Sequence, residues 1–335
     1  MTDARRVLSA CGRFALWAGL AAWWAWGTAA LAFSPYATSA VRLVLASAFA
    51  IALPSASLWL RRRASLRVAA FALLVPGVLA VAAWSVLLRP SNARDWSVDQ
   101  SRLPHAEIHG NDVLVRDVRN FAWRSTSDFI PAWEDRRYDL ARLDRAWFVV
   151  EPFSGVPSAA HTFLTFGFDD GATLAVSAEI RKEVGESFSP WRGLFRNYEI
   201  MFVLGDERDL VQLRTGPRHD TVYLYPVKAS PSAVRAMFVD VLARANALAA
   251  RPEFYNTAVN NCTTSIADLA NRLRPGSVPF SWHLLLPGHS DERALELGLI
   301  DFDGSIEQAR AQFRIDEKAA RAAGRDDFSE RIREP

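Results

Sequence analysis

The chain has 335 residues, half of them hydrophobic, and a formal net charge of +2. That is enough for one sizeable core plus membrane-embedded segments, and the near balance of charge gives no whole-chain case for a nucleic-acid partner. Only two cysteines occur, Cys11 and Cys262, and a membrane is expected to lie between them, so a disulfide framework is excluded and Cys262 is left as a lone thiol.

Residues 14–33 (FALWAGLAAWWAWGTAALAF) carry no charge and are long enough to cross a bilayer as a helix. A second apolar run covers about 39–60, with Arg42 as its one charge near an end, and a third covers about 68–88. Two further spans follow the first at once and no A-x-A site closes it, so it is not a cleaved signal peptide. The tetrapeptide Leu8-Ser9-Ala10-Cys11 imitates a lipoprotein cleavage box but precedes the hydrophobic run instead of following it. Arg5, Arg6 and Arg13 precede the first span, and Arg61, Arg62, Arg63 and Arg67 lie between the second and third. The positive-inside rule then puts the N-terminus in the cytoplasm and everything after about residue 89 outside, in the periplasm of a cell with two membranes. Residues 1–89 therefore read as a membrane domain, 90–103 as a polar linker, 104–303 as a globular domain, and 304–335 as a charged tail holding a solvated helix that then frays.

In the globular part, Asp112–Val118 alternates as a strand, 118–125 continues extended, Arg136–Leu143 reads as a short helix, and Ala146–Val150 as a strand. In His161–Glu179 the even positions Leu164, Phe166, Phe168, Leu174, Val176 and Ala178 are apolar. Only a three-residue loop, Asp169-Asp170-Gly171, keeps one face dry, because it sets Leu164 opposite Val176 and Phe166 opposite Leu174. That register also sets His161 across from Glu179 on the wetter face. Glu199–Leu204 and Thr221–Pro226 are strand-like, with the charged stretch Asp206–Asp209 and a turn at Arg214–Pro217 between them. Ser232–Ala250 is a helix with Val234, Met237, Phe238, Val241 and Leu242 as its stripe.

The chemistry points to Tyr255–Leu273 (YNTAVNNCTTSIADLANRL). Ile266, Leu269, Ala270 and Leu273 recur at helical spacing, and Asn260 or Asn261 is a natural N-cap. Cys262 would then open the helix at the positive end of its dipole, which favours the nucleophilic thiolate. A cysteine nucleophile needs a base and a group to orient that base. His161 fits the first role, and Glu179 or the Asn261 amide the second. Amides at the start of the helix fit an oxyanion site. The competing reading is a small buried hydrophobe for Cys262 and a strand-end polar residue for His161. His105 and His109 could be two ligands of a helix, but Pro104 and Gly110 bracket them without a third ligand, so no metal site is expected. Arg119-Asn120 and Asp206–Arg208 read as salt-bridged scaffold by default, with a role lining the site as the alternative.

The sequence resembles the bacterial family of the Lnb N-terminal periplasmic domain over roughly residues 90–300. The likeness is carried by Val118-Arg119-Asn120-Phe121, His161-Thr162-Phe163, Ser177-x-Glu179-x-Arg181, Glu207–Leu210, Leu224-Tyr225-Pro226 and, above all, Tyr255-Asn256 with Asn260-Asn261-Cys262-Thr263. The family takes its name from a lipoprotein N-acyltransferase of the cell envelope. The resemblance implies an α+β domain similar to circularly permuted papain-like enzymes, in which a helix opening at the catalytic cysteine packs on an antiparallel sheet. It implies Cys262 as nucleophile and His161 as general base, with Glu179 as third member on the hairpin argument, and Tyr255, Asn260, Asn261, Arg181, Arg119 and Asn120 lining the site. The expected activity is transfer of an acyl chain from a phospholipid or lipoprotein through an acyl-cysteine, without a cofactor. An envelope cysteine peptidase or amidase, or a non-catalytic tethered binding domain, are the alternatives. This chain departs from the name-giving enzyme in carrying its membrane helices before the domain.

Overall fold

The computed structural model describes residues 2–63 and 65–334, and the chain divides after Pro90 into two compact units. The first unit holds helices α1 (Thr2–Phe33), α2 (Ser39–Arg63) and α3 (Leu66–Leu87) together with the later segment Ser189–Asn197. Within these helices Ala10–Phe33, Ser39–Arg63 and Arg67–Leu87 are long and apolar enough to cross a membrane. Gly77 of α3 sits where a Cβ would collide with the Trp23 indole of α1, so the absence of a side chain lets the two helices approach closely. Segment Ser189–Asn197, which contains the one-turn helix α4 (Pro190–Gly193), is held at the ends of α1 and α3. Phe195 stacks on Phe33 at 5.9 Å, Ser34 Oγ donates to the Phe195 carbonyl, and Trp84 donates to Ser34 Oγ at 2.7 Å.

The second unit contains strands β1 (His105–His109), β2 (Asp112–Arg119), β3 (Ala122–Trp123), β4 (Phe129–Ile130), β5 (Trp133–Asp139), β6 (Leu143–Phe153), β7 (Val156–Phe168), β8 (Thr173–Arg181), β9 (Glu199–Gly205) and β10 (Tyr223–Pro226). Its helices are α5 (Glu207–Thr215), α6 (Pro231–Ala250), α7 (Cys262–Leu273), α8 (Ser290–Glu296), α9 (Ile306–Phe313), α10 (Asp316–Ala322) and α11 (Phe328–Arg331). The main sheet runs β1-β2-β9-β8-β7-β6-β10, with β5 also paired to β2. It is mixed, not purely antiparallel: β2 meets β9 parallel at Arg119–Gly205. The α+β class and the apolar N-terminal helices are as the sequence implies.

Strand alternation divides the sheet between two cores. Phe148, Leu164, Phe166, Val176 and Phe202 face one, filled by α6 and α7 through Val234, Phe238, Leu242 and Leu269. Val149, Phe163, Ala175, Met201 and Val203 face the other, covered by Leu210 and Val211 of α5 and by Ala319, Phe328 and Ile332. The β7–β8 hairpin adopts the expected register, Leu164 opposite Val176 and Phe166 opposite Leu174, closed by Gly171 at φ 85°.

Four expectations are corrected. Arg136–Leu143 is not a helix; β5 ends at Asp139 and a 3-10 turn follows, because Tyr138 packs inward as a strand residue. The charged stretch after β9 opens a helix, α5, capped by Asp206. Residues 91–101 do not form a loose linker: Asn92 donates to the Leu248 and Ala249 carbonyls and Trp96 bridges to Glu183. Residues 304–334 are not a fraying tail. Helix α9 packs on the first core through Ala309, and α10 and α11 cover the second, pinned where the Arg333 guanidinium grips the fully buried Glu207 carboxylate. Phe328→Ala should therefore cost about 3–5 kcal/mol, read as a lowered thermal midpoint of the full chain. A frayed tail would give no shift.

Candidate active site

The β7–β8 ladder runs from Gly167–Thr173 only to Leu164–Val176. Beyond it β7 keeps pairing with β6, His161 opposite Glu151, and β8 keeps pairing with β9, Glu179 opposite Met201. The strands part there, which frees polar groups on both inner edges. His161 and Glu179 are therefore not a cross-strand backbone pair; their side chains meet across the gap. His161 Nε2 lies 3.1 Å from Glu179 Oε1, and Ser177 Oγ sits between them, 2.6 Å from Nε2 and donating to Glu179 at 2.7 Å. The face expected to be wetter is covered by α5, and His161 is 9% exposed.

Helix α7 enters the same gap. The loop before it is built by its asparagines: Asn256 Oδ1 accepts from Ala258 N–H and Asn260 Nδ2 donates to the Phe254 carbonyl. Asn261 is the N-cap, accepting from Thr264 N–H at 2.9 Å while the Thr264 hydroxyl accepts from Asn261 N–H, a reciprocal capping box. Thr263 Oγ1 meets Thr162 Oγ1 at 3.0 Å and locks the helix start to β7. Cys262 is thereby fixed at the first helical position, where the first two amides of α7 have no acceptor within the helix.

Charge decides the state of this cluster. Burial opposes ionisation of the Cys262 thiol, but His161 and the donors of Thr162 outweigh it and lower the thiol to about 7. Burial likewise opposes charging of His161, yet Glu179 and then Cys262 raise it to about 10. Since Nε2 is taken by Ser177 and Glu179, Nδ1 is the nitrogen left for the sulfur. Between these two values the pair is thiolate and imidazolium. Behind Glu179 stands Arg214, 2% exposed, donating to Glu179 Oε1 at 3.0 Å and to the fully buried Glu151 at 2.6 Å. Glu179 is held well below the carboxylate range, against its burial, by His161 and Arg214.

Cys262, His161 and Glu179 are thus brought together, and Asn261, Asn260 and Tyr255 lie around them, with Tyr255 close enough for Cys262 and Glu179 to raise its phenol further once burial has done so. Arg119, Asn120 and Arg181 do not line the site. Arg119 grips the buried Asp209 at 2.8 and 2.9 Å, Asn120 donates to Glu134, and Arg181 donates to the Gln100 and Ser101 carbonyls beneath Trp96. His105 and His109 stand on a strand, exposed, four residues or roughly 13 Å apart. Among the described residues, no His, Cys, Asp and Glu gather as a metal site. Sequence reasoning missed Ser177, Arg214 and Glu151. The signal for the last was an acid ending the apolar run Trp147–Val150, which demanded a buried partner.

The fold and this cluster define a chain with three helices long and apolar enough to cross a membrane and an α+β domain that holds a thiol beside an imidazole–carboxylate pair. Residues 129–288 match the model of the Lnb N-terminal periplasmic domain. The match takes in His161, Glu179 and Cys262. No curated protein and no solved structure matches the chain.

Alkylation of Cys262 in a Cys11→Ser background should rise with pH through a midpoint near 7. Removing the imidazole in His161→Ala should move that midpoint upward by more than a unit, because burial then acts without its counter-charge. A midpoint unmoved by the substitution contradicts the pairing.

Proposed function

We propose that the protein is a membrane-anchored thiol acyltransferase working at the outer face of the inner membrane, on a papain-like domain of permuted order. The observation that carries this reading is the thiol at the start of α7 beside His161, itself bonded to Glu179. The Cys262 thiolate attacks the carbonyl carbon of an ester on a phospholipid or lipoprotein, forming the S–C bond. The amides of Cys262 and Thr263 stabilise the oxyanion. The C–O bond then breaks, and the leaving alkoxide takes the proton from the His161 imidazolium as an alcohol. In the second half an amine attacks the thioester, giving its proton to neutral His161, and the C–S bond breaks to return the thiolate and the amide. Thioesters pass readily to amines, so no cofactor is required.

The topology rests on the arginines that precede α1 and lie between α2 and α3, which favour a cytoplasmic N-terminus.

The test is mass spectrometry of the full chain in phospholipid vesicles. An acyl mass on Cys262, released by hydroxylamine and absent in Cys262→Ser, is expected, and His161→Ala should slow its formation by about 10²–10⁴-fold. Cleavage of peptide or amide bonds without an acyl adduct would make it a hydrolase. Unchanged lipoprotein N-acylation in cells carrying folded Cys262→Ser would make the domain a tethered scaffold.

A further inference from the structure

Helix α7 does not spend all of its apolar stripe on the core. Ile266, Leu269, Ala270 and Leu273, the residues whose spacing marks the helix, all face a cavity of about 250 Å³. Met237 of α6, Leu164 of β7 and Leu284, Leu297 and Ile300 of the following segment line it as well, with Lys228, Arg274, His283 and Arg293 also on its wall, and its exposed lining is mostly apolar. One end of the cavity is Thr263, the residue after the nucleophile and the one bonded to Thr162. The other side is formed by the 278–290 segment, which is seated against the start of β7 by Gly288, where any side chain would strike the Pro157 carbonyl. That same segment exposes Phe280 (75%), Trp282 (51%), Leu285 and Leu286 on its outer surface. A cavity lined this way leaves apolar surface without a filling side chain, which costs packing unless a ligand supplies it. Large aromatic and leucine side chains held out of the core together are the composition of a segment that lies in a lipid interface.

We propose that this cavity along α7 holds the hydrocarbon chain of the lipid acyl group taken up by Cys262, with the exposed 280–286 segment meeting the bilayer at its rim. The proposal rests on the acyltransferase reading and deepens it. The substrate is a long-chain ester lying in a membrane leaflet, because a chain leaving the thioester past Thr263 runs along Ile266, Ala270 and Leu273, whereas a peptide would present polar backbone to a lining that is mostly apolar. The rim segment is where such a chain passes from the leaflet without crossing water.

The experiment separates this from the chemistry by using Cys262→Ala, which cannot be acylated. The full chain is placed in vesicles containing a phosphatidylethanolamine with a photoactivatable diazirine near the end of one palmitoyl chain, irradiated, and mapped by peptide mass spectrometry. Labelling is expected on peptides 262–274 and 278–300 as well as on the membrane helices. Ala270→Phe, and separately Ala294→Phe on α8, fill the cavity and should lower labelling of those peptides about tenfold while leaving that of the helices in place, since each buried methylene is worth roughly a factor of four. Labelling confined to the membrane helices in the unfilled chain, or unaffected by both filling substitutions, overturns the proposal. In parallel, an acyl adduct on Cys262 of the otherwise native chain reports on transfer alone. An adduct without cavity labelling sinks the pocket and spares the transferase, whereas cavity labelling without an adduct sustains the pocket and sinks the transferase.

Discussion

Arg214 is the charge on which the site depends. It is a fully enclosed guanidinium between two carboxylates, and each of those carboxylates touches the histidine side of the cluster, Glu179 directly and Glu151 as the backbone partner of His161. A buried arginine without such partners would be prohibitive, and the two glutamates without the arginine would repel each other and take up protons. Removing one member of a buried pair costs about 3–5 kcal/mol, so the clamp constrains stability and electrostatics together. With it in place Glu179 stays ionised, and an ionised Glu179 is what keeps His161 charged beside the sulfur.

The sheet supplies the geometry that this charge exploits. A continuous β7–β8 ladder would occupy the amides and hydroxyls that the site uses. Ending it at Leu164–Val176 releases the edge of β7 to the sulfur and leaves room for Ser177 to bridge imidazole and carboxylate. The capping box at Asn261 does the matching work from the helix, since it fixes where α7 begins and hence where the thiol stands. Two separate covers are needed for a sheet with a polar cluster at one end. α6, α7 and α9 close one face, and α5 with α10 and α11 closes the other.

Much of this is written in local sequence. The hairpin register follows from alternation and a glycine that tolerates positive φ, and the α7 boundary follows from an asparagine before a periodic stripe. Helix α5 was hidden because its inward face, Glu207, Leu210, Val211 and Arg214 at i, i+3, i+4 and i+7, begins and ends in charge. Only the tertiary partners Arg333, Glu151 and Glu179 make those charges buriable, and they come from distant parts of the chain. The tail reads as solvated for the same reason: alanine, arginine and aspartate suit a solvated helix until Ala319, Ala322 and Phe328 find a sheet face to cover. Arg119 and Arg181, though they sit in the motifs that carry the family resemblance, serve the scaffold through Asp209 and the 92–101 segment. The stripe of α7 was legible as a helix but not as a cavity wall, because spacing reports which residues share a face and not what lies opposite.

The site depends on a charged imidazole held beside a thiolate, and that state can be read directly. Nitrogen-15 NMR of the histidine side chains in the full chain, with His161 assigned by substitution, should find His161 protonated at pH 8 and losing its proton only near 10, with the midpoint lowered in Cys262→Ala. A His161 already neutral at pH 8, titrating at the ordinary histidine value and indifferent to the loss of Cys262, would contradict it.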